Sequence, residues 1–243
     1  QVVGAIDAGH KRDDQPGLGQ VGDGAAAALG CQVEDVAGGG TAEVGADVAR
    51  EGLEYSIDSR AIAVGGQLIS ITGLRGHYDE IFLPLHGKHQ ASNAAAALIA
   101  VEAFFGEQEL DYEAVLAGFA NVQSPGRCEV LHRDPTVIID AAHNPHGAKA
   151  LTETIQSEFT FDEVIGVFAA MGDKDIEGAL IELEKVMDSI IVTKNSSSRS
   201  AAVADVEVLA TKIFGSDRTF SADSLEVAIE KAIKDSIRPL SED

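Results

Sequence analysis

Cysteine is scarce in this chain, and positive charge is scarce relative to negative. Two cysteines, Cys31 and Cys128, in 243 residues make no disulfide framework and show no metal-ligand spacing. No metal ligand set is therefore predicted, and a reducing, cytoplasmic setting fits best. No apolar run approaches the roughly 20 residues that span a bilayer, and no charged-then-apolar leader opens the chain. The sequence reads as soluble, with no membrane partner. Against 40 Asp and Glu stand only 18 Lys and Arg, a formal net charge of −22. A field of that sign repels polyanions, which excludes nucleic acid as a partner. An anion site, if there is one, must be built locally from a few basic side chains and backbone amides. The length suits one large domain or two modest ones.

Three textures follow one another along the chain. Residues 1–52 are set apart by the stretch 17–40, nearly all Gly, Ala, Val, Asp and Gln, with Ala25–Ala28 and Gly38–Gly40 as runs. It lacks aromatics and a clear period, so residues 1–52 are expected to be irregular or poorly packed. From 53 to 122 apolar alternation over 53–57, 60–64, 67–72 and 78–85, broken by Gly65-Gly66 and Gly73, predicts a small antiparallel meander. An Ala-rich helix over 92–105, apolar nearly all round and hence expected buried, and a shorter one over 111–119 complete that unit. From 123 to 243 strands (136–139, 164–169, 189–193, 219–220) alternate with helices (147–158, 176–185, 205–214, 224–233). That alternation predicts an α/β domain with a doubly wound, mainly parallel, Rossmann-like sheet. Ligands of such sheets gather at the carboxyl ends of the strands.

Five polar clusters stand out, and those that follow the strands at 136–139, 164–169 and 189–193 fall at such places. His86-Gly87-Lys88-His89-Gln90-Ala91-Ser92-Asn93 stands at a helix entrance, where side-chain donors join free backbone N–H groups; the competing reading is a cap by Ser92. Ser124-Pro125-Gly126-Arg127-Cys128-Glu129 projects Arg127 from a rigid turn, suited to gripping a phosphate or, alternatively, solvated at a linker. Ile138-Ile139-Asp140-Ala141-Ala142-His143-Asn144-Pro145 is the most informative. An apolar strand ends in an Asp placed to accept from ribose hydroxyls, with His143 a short reach further on. Met171-Gly172-Asp173-Lys174-Asp175 reads either as an anion contact by Lys174 or as a simple ion pair. Lys194-Asn195-Ser196-Ser197-Ser198-Arg199 is basic and hydroxyl-rich, a receiver for an anionic substrate or a surface loop. His10 and His77 have no partners at useful spacing and read as incidental.

Taken together, in order and spacing, these motifs resemble the folylpolyglutamate synthase and dihydrofolate synthase family of the Mur ligase superfamily, over roughly residues 50–235. The carriers are Leu85–Ala95, Pro125–Glu129, Asp140–Pro145 and Gly172–Asp175, with wording around 65–87 and 164–175 most like actinobacterial members. The resemblance implies a C-terminal Mur-ligase domain at 123–243, preceded at 53–122 by the meander and helix edge of a central ATPase domain. It implies an ATP-dependent amide ligase, acting as a monomer, that adds L-glutamate to a folate or dihydropteroate through an acyl phosphate. By matching motifs, His89 and Asn93 would contact the adenine side of ATP, Asp140 the ribose and Arg127 the phosphates. His143 would border the same site, and Arg127 and His143 are the catalytic candidates. Lys174, Lys194 and Arg199 are candidates for the glutamate carboxylates. The chain departs from the family in having no G-x-x-G-K-[ST] phosphate loop and none of the region whose side chains hold Mg2+, and in carrying Ser198-Arg199-Ser200 where the family has Pro-Arg-Ala. Alone it is therefore expected to turn over negligibly. A non-catalytic nucleotide- or partner-binding module is the other reading.

Overall fold

The computed structural model describes residues 2–7, 48–106 and 108–237, the first of these by backbone alone. Two cores organise them. The smaller is built on a three-stranded antiparallel sheet of β2 (Ser56–Ala63), β3 (Gly66–Thr72) and β4 (His77–Leu83). The alternation read as two segments, 53–57 and 60–64, is largely one strand: a register shift between Ile57 and Ser59 breaks the period of two without ending β2. Ile69, Ile71, Tyr78, Ile81 and Leu83 bury one face of this sheet against α1 (Lys88–Phe105) and α2 (Tyr112–Ala120).

Helix α1 departs twice from expectation. It begins at Lys88, not Ser92, with Gly87 as its N-cap and no side-chain cap hydrogen bond, so Ser92 lies inside the helix and caps nothing. Nor is it buried all round. Ala91, Ala94, Ala95, Leu98 and Glu102 face the core, while Val101, Phe104 and Phe105 on the other side are exposed, Phe104 by 84%. The sequence is apolar on both faces, but the described residues cover only one.

Glu102 is fully buried, which a carboxylate tolerates only when its oxygens are satisfied. It accepts from Leu74 N (2.6 Å), Gly76 N (3.1 Å) and the Tyr78 hydroxyl (2.9 Å), closing the β3–β4 turn onto the helix. His77, read as partnerless, stands on that hairpin's surface within 3.0 Å of Asp79 and 3.4 Å of Asp58; both partners lie in the same sheet, at spacings without a chemical signature.

The larger core surrounds a six-stranded sheet in the order β5-β6-β1-β7-β8-β9. Its members are β1 (Val2–Asp7), β5 (Glu129–Arg133), β6 (Thr136–Asp140), β7 (Val164–Ala169), β8 (Ser189–Val192) and β9 (Thr219–Ser221). Strands β7, β8 and β9 run parallel, while β1 is antiparallel to both β6 and β7, so β6 and β7 share one direction. The expectation of irregular structure over 1–52 fails at Val2–Asp7. This β-branched segment pairs along both edges, which supplies the backbone partners that a lone Gly/Ala-rich segment lacks. The stretch 17–40 lies outside the described residues. Strand β5 had no sequence expectation; three of its five residues are exposed, which erases the alternation that marks a strand.

Helices α3 (Pro145–Glu158), α4 (Ile176–Leu183) and α5 (Val203–Phe214) pack on one face of this sheet, around Ile138, Phe168, Leu180, Ile190 and Phe214. Helix α6 (Leu225–Ser236) lies on the other, over Ile165, Val167 and Ile191. Each of α3, α4 and α6 opens on a side-chain cap, from Asn144, Asp175 and Ser224. None of the described helices is long and apolar enough to cross a membrane.

Candidate functional site

Because β6, β7 and β8 run in one direction, their carboxyl ends lie along one edge, and the loops that leave them carry three of the five predicted clusters. Strand β6 ends at Asp140, whose carboxylate is half-buried among backbone donors. One oxygen accepts from Cys128 N (2.8 Å), the other from Ala142 N (2.7 Å). Ala141 N donates in turn to Gly126 O (2.7 Å) and Gly126 N to a Glu129 carboxylate oxygen (2.8 Å). The Pro125–Glu129 turn is thus strapped to the strand end, with Cys128 held at a φ of 47°, sparsely populated for a side chain other than glycine.

Arg127 leaves that turn into solvent and makes no ion pair among the described residues. It lines a cleft of about 530 Å³ between the two cores, with His86, Ser124, Pro125 and Arg133. Burial pushes the Asp140 carboxyl above its ordinary range, while the two backbone donors and the charges of Arg127 and His89 pull it back. His89, the second residue of α1, is half-buried, and burial depresses its ring against the opposing pull of Asp140 and Glu158. His89, Arg127 and Asp140 therefore stand within electrostatic reach of one another, although they come from two different cores.

The other predicted residues are placed more loosely. His143 is exposed at the entrance of α3, its Nδ1 3.2 Å from Ala141 O. Asn144 is spent on capping, accepting from Gly147 N at 2.7 Å. Asn93 is exposed and donates to Gln90 Oε1 (3.2 Å). Lys174 pairs with Asp173 at 3.6 Å, and Asp175 caps α4. The loops after β7 and β8 are joined by a bridge between Met171 and Ser200 and by Gly172 N donating to Arg199 O (3.0 Å). Lys194 and Arg199 are exposed on the second of them without an ion pair among the described residues. In the same loop Asn195 Oδ1 accepts from Ser197 N (2.9 Å), while its Nδ2 is buried without a hydrogen-bond partner.

Sequence reasoning missed the group that joins the two cores. Glu158, the last residue of α3, binds Arg60 of β2, His86 Nδ1 (3.0 Å) and Gly87 N (2.9 Å). Burial raises its carboxyl, but the His86 hydrogen bond, the Arg60 charge and the Gly87 amide outweigh that and hold it below the ordinary carboxylate range. A depressed folded value means that this stabilisation is present above 4.5 and fades as pH falls through the lower folded value. A carboxylate closing a helix C-terminus, against the macrodipole, was the available signal.

Cys128 offers no nucleophile. Burial, reinforced by the negative charges of Asp140 and Glu158, pushes its thiol up to about 12. In the native protein at pH 8 the Cys128 peptide should stay unlabelled by iodoacetamide and become labelled only in denaturant, read by mass spectrometry. Labelling at the rate of a free thiol contradicts this burial.

Comparison with known proteins gives the site its context. The family described as Mur ligase, glutamate ligase domain, matches residues 126–241. A dihydrofolate synthase/folylpolyglutamate synthase of Mycobacterium tuberculosis is 51% identical over 190 residues, covering 77% of this chain and 39% of the relative. The solved Mycobacterium tuberculosis folylpolyglutamate synthase complexed with ADP superposes with a TM-score of 0.78 at 50% identity, over 80% of this chain and 43% of that one. Escherichia coli FolC in complex with DHPP and ADP superposes at 0.66 with 27% identity, over 80% and 43%. In fold the chain is similar to solved folylpolyglutamate synthases, and over residues 126–241 to the Mur ligase glutamate ligase domain. In sequence it is similar to the dihydrofolate synthase/folylpolyglutamate synthases, and it spans 39% of the length of the Mycobacterium tuberculosis relative.

Proposed function

We propose that the chain supplies the glutamate-ligase half of an ATP-dependent folate ligase, and that an adenine nucleotide sits where α1 begins, against the carboxyl end of β6. The observation that carries the reading is the convergence of His89, Arg127 and Asp140 from two cores onto one junction. The donor set suits such a ligand. Helix α1 opens without a side-chain cap, leaving backbone N–H groups for an anion, and Arg127 has no competing carboxylate within salt-bridge distance. Each Asp140 oxygen takes one N–H, so a lone pair remains on each for a ribose hydroxyl. ATP would supply the phosphoryl group that activates the folate carboxylate. The roles of this chain's residues are to bind and orient it. Arg127 neutralises phosphate charge, Asp140 fixes the ribose, and His89 and Asn93 border the base. His143 borders the phosphates, and the cations Lys174, Lys194 and Arg199 hold the carboxylates of the incoming L-glutamate. Among the described residues no three His, Cys, Asp or Glu side chains gather to hold a metal ion. Mg2+ would take its remaining ligands from phosphates and from a phosphate-loop segment outside these residues.

Calorimetric titration with Mg·ADP tests the reading. Wild-type chain should bind, and Arg127→Ala should weaken binding roughly 10- to 100-fold, the worth of one charge-assisted contact. Turnover with ATP, glutamate and dihydropteroate should stay negligible until the phosphate-loop half is added. Absence of binding at millimolar Mg·ADP removes the nucleotide site. Binding without rescued turnover favours the non-catalytic module.

A further inference from the structure

Helix α3 spans about 20 Å at 1.5 Å per residue, and its two ends stand in different functional surroundings. Its entrance adjoins Asp140 and His143; its last residue is Glu158. A carboxylate at a helix C-terminus faces the negative end of the macrodipole, and this side chain is 0% exposed, so nothing local favours it there. Its partners all belong to the meander unit: Arg60 on β2, His86, and the amide of Gly87 at the mouth of α1. The His86 ring also packs on Phe159, with centroids 4.9 Å apart.

The turn is held from its other side as well. Gln67, fully buried, donates to the carbonyls of Leu85 (2.8 Å) and Gly87 (3.1 Å) and accepts from Arg60 Nε. Gly87 sits at a φ of 99°, and a Cβ there would stand 2.6 Å from both His89 Cε1 and Thr154 Oγ1. A turn gripped at one amide and two carbonyls, with no room for a side chain, has one placement. His89 follows two residues later.

We propose that Glu158 is a positioning residue, which docks the Gly87 turn onto the α/β unit and thereby fixes where His89 stands against Asp140 and Arg127. The placement stands on geometry alone; its consequence for ligand binding rests on the nucleotide site proposed above.

Histidine ring titration by NMR separates positioning from mere proximity of charge, with the His89 signal assigned from a His89→Gln variant. If Glu158 acted only as a nearby negative charge, its removal would lower the His89 midpoint further, because that charge raises it and an unpaired Arg60 depresses it. If Glu158 holds the turn, its removal releases the ring from burial, and the midpoint rises toward the ordinary value. Glu158→Ala should give the full rise and Glu158→Gln a smaller one, since the amide oxygen still accepts from Gly87 N–H. Should the alanine variant fail to fold, the glutamine variant carries the test. In the same proteins Mg·ADP affinity should fall roughly tenfold or more. A midpoint that falls or stays in place on substitution overturns the proposal. A rise in a chain whose wild type binds no Mg·ADP upholds the positioning role and removes the nucleotide reading.

Discussion

Glu102→Ala is expected to cost the meander unit about 3–4 kcal/mol, enough to unfold it at temperatures where the α/β unit stays folded. The substitution removes one acceptor and strands three donors: Leu74 N, Gly76 N and the Tyr78 hydroxyl. An orphaned buried donor costs about 1–3 kcal/mol, and the sum is reduced here because the two backbone amides are only half-buried. Tyr78 also accepts from Leu110 N (3.1 Å), so its displacement loosens the approach to α2. Domains have only about 5–15 kcal/mol in all, and the smaller core here owns the smaller share. The readout is unusually clean: the chain has no tryptophan, and its three tyrosines, Tyr55, Tyr78 and Tyr112, all lie in or beside the meander unit. Tyrosine fluorescence should report an early transition while far-UV circular dichroism keeps the later one. Glu102→Gln should lose roughly half as much, since one oxygen still accepts. Coincident melting of Glu102→Ala and wild type sinks the account of this network.

What the sequence made legible follows from range. Local period placed β3, β7, α2 and α5 within a residue or two, because each buries one face or is buried wholly. The strand-end motif at Asp140–Pro145 was readable because its parts adjoin: strand, small residues, Asn cap, Pro at the first helical turn. Arg60 and Glu158 are 98 residues apart and His86 and Glu158 72, and no spacing rule reaches so far. Register was hidden for a related reason. One extra residue between Ile57 and Ser59 inverts the alternation without any local mark in the composition. The place of β1 was invisible, since a β-branched hexapeptide does not encode which two strands it enters. The misjudged burial of α1 has another cause: apolar residues on both faces state what the helix is able to bury, and the described residues include a partner for one face only.

Asp140→Ala should abolish measurable nucleotide binding, a loss beyond roughly 100-fold, at a stability cost of about 2 kcal/mol. Two effects compound. The acceptor proposed for the ribose disappears, and so does the anchor that holds the arginine turn, because Cys128 N and Ala142 N lose their acceptor together. Cys128 sits at a positive φ, a conformation that persists only where surroundings over-determine it. Released, the turn relaxes and Arg127 no longer projects from a fixed corner, so the entropy of ordering it falls on the binding step. Asp140→Asn separates the effects. Its oxygen keeps one backbone donor, its amide opposes the other, and the charge is gone. The pH dependence supplies an internal check. The folded carboxyl titrates above 3.8, so the folded state holds the proton more tightly than the unfolded chain. Wild type should then lose stability relative to Asp140→Asn as pH rises from 3.8 through the folded value, with a constant difference above it. A difference that moves the other way would mean that the backbone donors and Arg127 outweigh burial.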